Sequence, residues 1–295
     1  MRKVTGWRSA QRPKPKPETT LPAQTSESIE SRIERLELPF NARGIDQFGV
    51  SKKHLAVFMK ALGFMYRRYL SVHSHGHENI PARGRAMLIG NHSGGVALDG
   101  AMTIAASFFE LNPPRLAQGM AEKFLNAIPF VSEWSARCGQ LTGLPENAER
   151  LLADERLLMV FPEGAKGTAK LFKERYSLVD FGTGFMRLAL KTKTPIIPLG
   201  FVGGADAVPT IANSYALGKL LGMPYVPITP WILTVPRPAK CDVHFGAPMI
   251  FSGTGSEDDE VIIRYVDEVK ARIAELIERA RESRHQRSPL SVIRK

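Results

Sequence analysis

The sequence predicts an α/β fold: a single domain with a twisted mixed sheet flanked by helices and preceded by an amphipathic helix. Three observations lead there. Apolar runs at 86–89, 157–161 and 194–202 have strand length, and each gives way to a glycine-containing turn. Stretches of helical periodicity lie between these runs. The 295 residues are 43% hydrophobic, enough for a sizeable core, and the apolar segments are spread evenly enough for one domain.

Residues 1–28 are poor in large apolar side chains and carry Lys14-Pro15-Lys16-Pro17, the composition of a disordered tail. Arg2, Lys3, Arg8, Arg12, Lys14 and Lys16 precede the first acid, Glu18. Near anionic headgroups each such cation is worth about 1 kcal/mol. Residues 30–38 read as a short charged helix, so 1–40 is expected as a leader to a domain at 41–282, with a basic tail at 283–295. Residues 52–70 read as the amphipathic helix: Leu55, Phe58, Met59, Leu62, Met65, Tyr66 and Leu70 recur at helical spacing, beside Lys52, Lys53, Lys60, Arg67 and Arg68. Two readings of it stay open, a helix lying on a bilayer or one packed on the core. Residues 71–77 read as an entry strand with His73, His75 and His77 on one side. No metal site is expected there, because no further cluster of ligands accompanies them.

The strand at 86–89 leads into a helix over 96–109, which stops at Asn112-Pro113-Pro114. A strand at 116–119 follows, then a segment to Pro129 and the apolar Phe130, Val131 and Trp134. Pro145 opens a helix with acids in its first turn, where the helix dipole favours them. A helix at 185–190 precedes the strand at 194–202. Residues 215–231 are apolar but too broken by proline to span a bilayer, and read as a hydrophobic loop that either dips into a bilayer or covers the acyl groove. Residues 240–245 alternate like an edge strand. Ser256 is expected to cap the last helix, whose stripe is Ile262, Val266, Val269, Ile273, Leu276 and Ala280.

A net charge of +11 and a pI near 9.8 point to an anionic partner: membrane lipid, a phosphate-bearing cofactor or nucleic acid. No nucleic-acid motif or aromatic–basic interleaving occurs, so nucleic acid is not expected as a partner. Gly182-Thr183-Gly184 lacks the third glycine of a dinucleotide fingerprint. Cys138 and Cys241 make no metal or redox motif and fit buried thiols in a reducing compartment. No apolar leader follows the basic N-terminus, and no run of about eighteen apolar residues occurs, so no spanning helix is expected.

The candidate chemistry begins where the strand at 86–89 breaks, at Gly90-Asn91-His92-Ser93-Gly94-Gly95. Strand ends of this kind are where open α/β sheets place ligands. Asp99 follows about two helical turns on. A histidine with a carboxylate partner is a general base whose tautomer is held and whose charged form is stabilised. A second strand ends in Phe161-Pro162-Glu163-Gly164-Ala165-Lys166, and Lys170, Lys173 and Arg175 make the following turn basic.

Asn91-His92 with a downstream acid, followed by Phe161-Pro162-Glu163-Gly164, resembles the glycerolipid acyltransferase superfamily over about 44–281. The resemblance implies acyl transfer from acyl-CoA or acyl-ACP to a glycerolipid or lysophospholipid hydroxyl, with His92 as general base and Asp99 orienting it. It implies substrate binding by Asn91, Phe161, Pro162, Glu163, Gly164 and Lys166, with Lys123 a further phosphate contact. No metal and no cofactor beyond the acyl co-substrate is implied. It also implies a membrane lipid surface as partner and a peripheral place on the cytoplasmic side. Two departures matter. The family usually has four residues between His and Asp, whereas six stand here, Ser93 to Leu98, so Gly94-Gly95 must loop out the excess. Lys166 stands where the family often has arginine, and 140–145 contains no arginine, which weighs against a strongly phosphate-dependent acceptor. Backbone N–H groups of 93–95 are the expected oxyanion donors. The rivals are a lipid hydrolase using Ser93 and a non-catalytic protein that binds anionic membranes.

Overall fold

The computed structural model describes residues 27–94, 96–121, 131–231 and 235–287. Among these, the strands are β1 (His73–His75), β2 (Ala86–Gly90), β3 (Ala117–Ala121), β4 (Leu141–Thr142), β5 (Leu157–Val160), β6 (Ile196–Val202), β7 (Ala212–Ser214), β8 (Val226–Ile228) and β9 (Asp242–Phe245). The α-helices are α1 (Ile29–Glu34), α2 (Lys52–Phe64), α3 (Leu98–Phe109), α4 (Val131–Arg137), α5 (Pro145–Ala153), α6 (Gly164–Thr168), α7 (Gly184–Thr192), α8 (Gly204–Ala207), α9 (Tyr215–Leu221) and α10 (Asp259–Gln286). Seven strands form one sheet in the order β1-β9-β6-β2-β5-β3-β4, parallel at every junction except β6/β9; β7 and β8 pair apart as an antiparallel hairpin.

Parallel strands covered by helices on both faces need apolar side chains on both, which is why β2 and β6 are buried at every residue. Successive residues then feed opposite cores. Ala86, Leu88, Leu157 and Met159 join α2 and α3 on one face; Met87, Ile89 and Leu158 join α5, α7 and α10 on the other. The stripe of α10 is buried, with Ile262, Val266, Val269, Ile273 and Ala280 in that second core, and the helix continues past Arg281 to Gln286.

Of the two readings left open for the amphipathic helix, the structure has the one packed on the core: Leu55, Met59, Leu62 and Tyr66 are buried, and Phe58 and Met65 pack on the same core. Other expectations are corrected. A π-helical turn, Met65–Tyr69, closes that helix. The strand at 240–245 is interior, between β1 and β6; the edge is β1. Ser256 does not cap α10; its N-cap is Asp258, because the Glu257 carboxylate instead accepts the N–H groups of Thr254 and Gly255 and builds a separate turn. Among the described residues no helix is long and apolar enough to cross a membrane.

His77 leaves the entry strand for a 3-10 turn, so it does not share the face of His75. His75 has other company: with Asp242 and His244 it forms a group whose ligand-type atoms lie within 4.8 Å of one another. The His75 and His244 rings stack, 4.2 Å between centroids and 29° between planes. Arg287 engages Asp242 by an ion pair, tying the end of α10 to the sheet. Burial, then the His75 charge, push His244 down from 6.5 to about 4. Folded protein therefore refuses a proton that the unfolded chain accepts near 6.5, and stability is lost as the pH falls from there toward 4. Urea midpoints at pH 7.5 and 4.5 should differ more for the wild type than for His244→Gln, which removes this titration.

Cys138 and Cys241 are buried free thiols, both pushed up to about 12 by burial.

Candidate active site

β2 lies between β5 and β6, so the loops leaving these three strands meet at one sheet end. Asn91, next after β2, is bolted to β6: its Nδ2 donates to the Phe201 carbonyl at 3.0 Å and its Oδ1 accepts the Phe201 N–H at 2.8 Å. Both ends of the amide are thereby used, and the side chain is buried. Asn91 thereby anchors the loop to β6.

Asp99 enters from the first turn of α3 and is completely buried. Its Oδ1 lies 3.1 Å from His92 Nδ1 and accepts the Gly100 N–H at 2.8 Å, while Oδ2 accepts the Ser93 N–H at 2.8 Å and the Ser93 hydroxyl at 3.3 Å. Burial alone pushes this carboxyl up, but the His92 charge and hydrogen bond, with the two backbone N–H groups, outweigh it and hold Asp99 below its ordinary value of 3.8. An ionised carboxylate only accepts, so Nδ1 carries the hydrogen, and in the neutral ring Nε2 keeps a free lone pair. Asp99 reaches the ring across the long interval, in which Gly94 has φ +90° and a Cβ there would lie 2.9 Å from the Lys170 carbonyl oxygen. Gly95 lies outside the described residues.

The Phe161 ring stacks on the imidazole, 4.5 Å between centroids and 18° between planes, and fixes its plane. The His92 side chain is 10% exposed, so its edge reaches solvent while its partner does not.

Glu163 joins the two loops. Its Oε1 accepts the His92 N–H at 2.8 Å and its Oε2 accepts the Val179 N–H at 2.9 Å. Lys170 Nζ donates to both oxygens, at 3.1 and 2.9 Å, and to the Ser177 carbonyl at 2.9 Å. Both side chains are buried. The carboxylate is thus a clamp between the two loops, closed by its own counter-charge. The Gly182 N–H donates to the Pro162 carbonyl at 3.0 Å, and the Gly164 N–H donates to that of Phe161 at 3.1 Å, so Pro162 and Gly164 shape the turn.

The expected basic patch is smaller than its sequence. Lys170 is inside the clamp, and Arg175 donates to the Phe172 carbonyl at 2.7 Å and lies over the Phe172 and Tyr176 rings. Lys166 and Lys173 remain exposed beside the turn. Lys123 and Phe130 fall outside the described residues. The Ser93 N–H is spent on Asp99 and is no oxyanion donor, and the Ser93 hydroxyl addresses Asp99 instead of the imidazole, against its use as a hydrolase nucleophile.

Gly167 packs α6 against this centre. A Cβ there would stand 2.5 Å from Glu163 Cβ and 2.9 Å from His92 Cβ. Gly167→Ala should therefore displace the histidine loop, costing about 1–3 kcal/mol in urea unfolding and a larger fraction of activity than of stability. On the other face of β5, an apolar cavity of about 590 Å³ is lined by Met120, Leu144, Ala148, Val160, Phe185 and Leu188.

Sequence reasoning missed Val179 and Phe201, and placed Lys170 in the basic patch without its pairing to Glu163. One signal was available: a glutamate in an apolar motif needs a buried cation, and Lys170 is two helical turns away.

Comparison with known proteins follows this geometry. A family model described as Acyltransferase matches residues 71–202, from the loop before β1 to the end of β6. The chain is 33% identical over 246 residues to Uncharacterized protein Rv0502 of Mycobacterium tuberculosis, covering 80% of this chain and 69% of that protein. It is 32% identical over 246 residues to Uncharacterized protein ML2427 of Mycobacterium leprae, covering 80% and 67% respectively. The fold is shared with the 1-acyl-sn-glycerophosphate (LPA) acyltransferase PlsC of Thermotoga maritima, at TM-score 0.51 and 19% identity over 76% of this chain and 81% of that one.

Proposed function

Since the chain belongs to the glycerolipid acyltransferase superfamily and is an acyltransferase, we propose that it moves a fatty acyl group from an acyl-CoA or acyl-ACP thioester to a glycerolipid hydroxyl. The observation that carries this is the buried Asp99 carboxylate 3.1 Å from His92 Nδ1, on a ring whose side chain keeps 10% of its surface exposed. In the proposed step His92 Nε2 takes the hydroxyl proton as the oxygen attacks the thioester carbonyl carbon. A tetrahedral oxyanion forms, the C–S bond breaks, and the proton passes from Nε2 to the departing thiolate. Asp99 stabilises the transient imidazolium and keeps the ring from turning. No metal or prosthetic group is needed.

The acceptor class is supported by the fold shared with an acyltransferase named for 1-acyl-sn-glycerophosphate. Lys166 and Lys173 offer charge to a phosphate without the planar fork of arginine. The cavity beyond β5 falls within the roughly 300–1,000 Å³ of ligand sites and is our proposed seat for the acyl chain. We further propose that the protein acts as a peripheral enzyme on the cytoplasmic face of a membrane, a reading supported by its net charge of +11.

The test is incubation with labelled acyl-CoA or acyl-ACP and a panel of lysophospholipids, glycerol 3-phosphate, monoacylglycerol, diacylglycerol and long-chain alcohols. An acylated glycerolipid is expected. Free fatty acid as the sole product would favour hydrolysis, and no turnover of any donor would favour a non-catalytic role.

A further inference from the structure

We infer that the β7–α9–β8 hairpin is the element by which this protein docks on a lipid surface. The hairpin leaves the sheet at the C-terminal end of β6, the end that carries His92. Its tip is the helix α9, whose one face is closed: a Cβ at Gly218 would lie 2.5 Å from the Tyr225 backbone, so β8 backs the helix without a gap. The other face meets solvent. Leu220 is 81% and Tyr215 64% exposed, and Ile211, Leu217 and Leu221 are exposed beside them. Scattered exposed leucines need no explanation, whereas five large apolar groups within eleven residues mark an interaction surface.

Charge selects the partner. No acid occurs between Asp206 and Asp242, while Lys219, Arg237 and Lys240 do. A helix with leucines outward, a lysine among them and aromatic residues at its margins has the composition of an element lying in the headgroup–acyl boundary. Tyr215 supplies the aromatic margin of the helix, and past the end of β8 the Arg237 guanidinium lies 4.4 Å from the Trp231 ring. A protein partner would find no carboxylate here to pair with.

The hairpin is also tied to the catalytic turn. Asn213 Nδ2 donates to the Ala169 carbonyl at 2.6 Å, and the Phe172 N–H donates to that of Thr210 at 2.8 Å. Ala169 and Phe172 flank Lys170, which closes the Glu163 clamp. A tip seated in a bilayer therefore holds the Lys166 turn at the surface where a lipid acceptor would be found. This last step rests on the proposed function; the docking itself does not.

The experiment uses the full chain with phosphatidylcholine vesicles containing 0 or about 30% phosphatidylglycerol, without substrate. Co-sedimentation is measured for the wild type, for Leu220→Glu/Leu221→Glu, and for Val57→Glu/Phe64→Glu on the exposed side of α2. The wild type should bind, more tightly with the anionic lipid. The α9 variant should lose on the order of tenfold to a hundredfold in partition coefficient, from withdrawing two leucines and adding two anions, and the α2 variant little. Because both leucines are exposed, the α9 variant should keep the wild-type unfolding midpoint. Wild-type binding by the α9 variant, or its loss only in the α2 variant, overturns the inference. So does a wild type that ignores vesicles but forms a dimer that the α9 variant breaks, which would assign the face to a second copy. Transfer between a short-chain acyl thioester and a micelle-free acceptor is assayed in parallel. Its absence, with vesicle binding intact, would sink the proposed function and leave the docking surface standing.

Discussion

His92→Ala is expected to lower the rate of acyl transfer by about 10² to 10⁴, the range a positioned base contributes, while the protein stays folded. The side chain is stacked on Phe161 and paired with Asp99, and alanine keeps the backbone and Cβ that pack against Glu163 and Gly167, so its removal should cost more in kcat than in fold. Asp99→Asn should produce a loss of similar order by another route. The amide keeps the shape but can donate to Nδ1, which would move the hydrogen to Nε2 and occupy the lone pair the reaction needs. The variants separate the roles: KM for the acyl donor should barely move in either. With Asp99 held below 3.8, its contribution to stability is whole above that pH and is lost as the pH falls through the lowered value, so acid unfolding of wild type should be steepest below about 3.8 and blunted in Asp99→Asn. Initial rates and acid titrations followed by circular dichroism check both.

Lys170→Met should destabilise the protein by about 3–5 kcal/mol, the usual cost of leaving one member of a buried ion pair alone. Against a total stability of about 5–15 kcal/mol that is a large share. The stranded charge would be Glu163, whose oxygens accept the N–H groups of His92 and Val179. Activity should therefore fall beyond what the lost folded fraction explains, because the His92 loop loses its clamp. Lys170→Met/Glu163→Gln should recover part of the stability, since no charge is then left buried. Urea unfolding of the three variants, with rates normalised to the folded fraction, measures the coupling; additive effects of the two substitutions would contradict the clamp.

What was legible in the sequence follows from local physics. Strands buried on both faces must be continuous apolar runs, so β2, β5 and β6 stood out, and the stripe of α10 marked its buried face. His92 and Asp99 were legible because the glycine pair that joins them is local. The misreadings share a different cause. Alternation at 240–245 looked like an edge strand because His244 is polar, yet a partner from β1 stacks on it inside the sheet. Asn91, Glu163 and Lys170 carry residue types that bind substrates elsewhere, and only contacts across the sheet reveal that here they bolt loops together. The basic run at 166–175 contracts for the same reason: a charge density read along the chain says nothing of which cations fold inward.

The central claim is that Asp99 holds the imidazole of His92 with its hydrogen on Nδ1 and a free lone pair on Nε2. Long-range proton–nitrogen correlation spectra of ¹⁵N-histidine-labelled protein near neutral pH, assigned by comparison with His92→Ala, observe this state directly. A neutral ring protonated at Nδ1, switching in Asp99→Asn, is the predicted result. A ring carrying its hydrogen on Nε2 in the wild type, or one indifferent to Asp99→Asn, would contradict it.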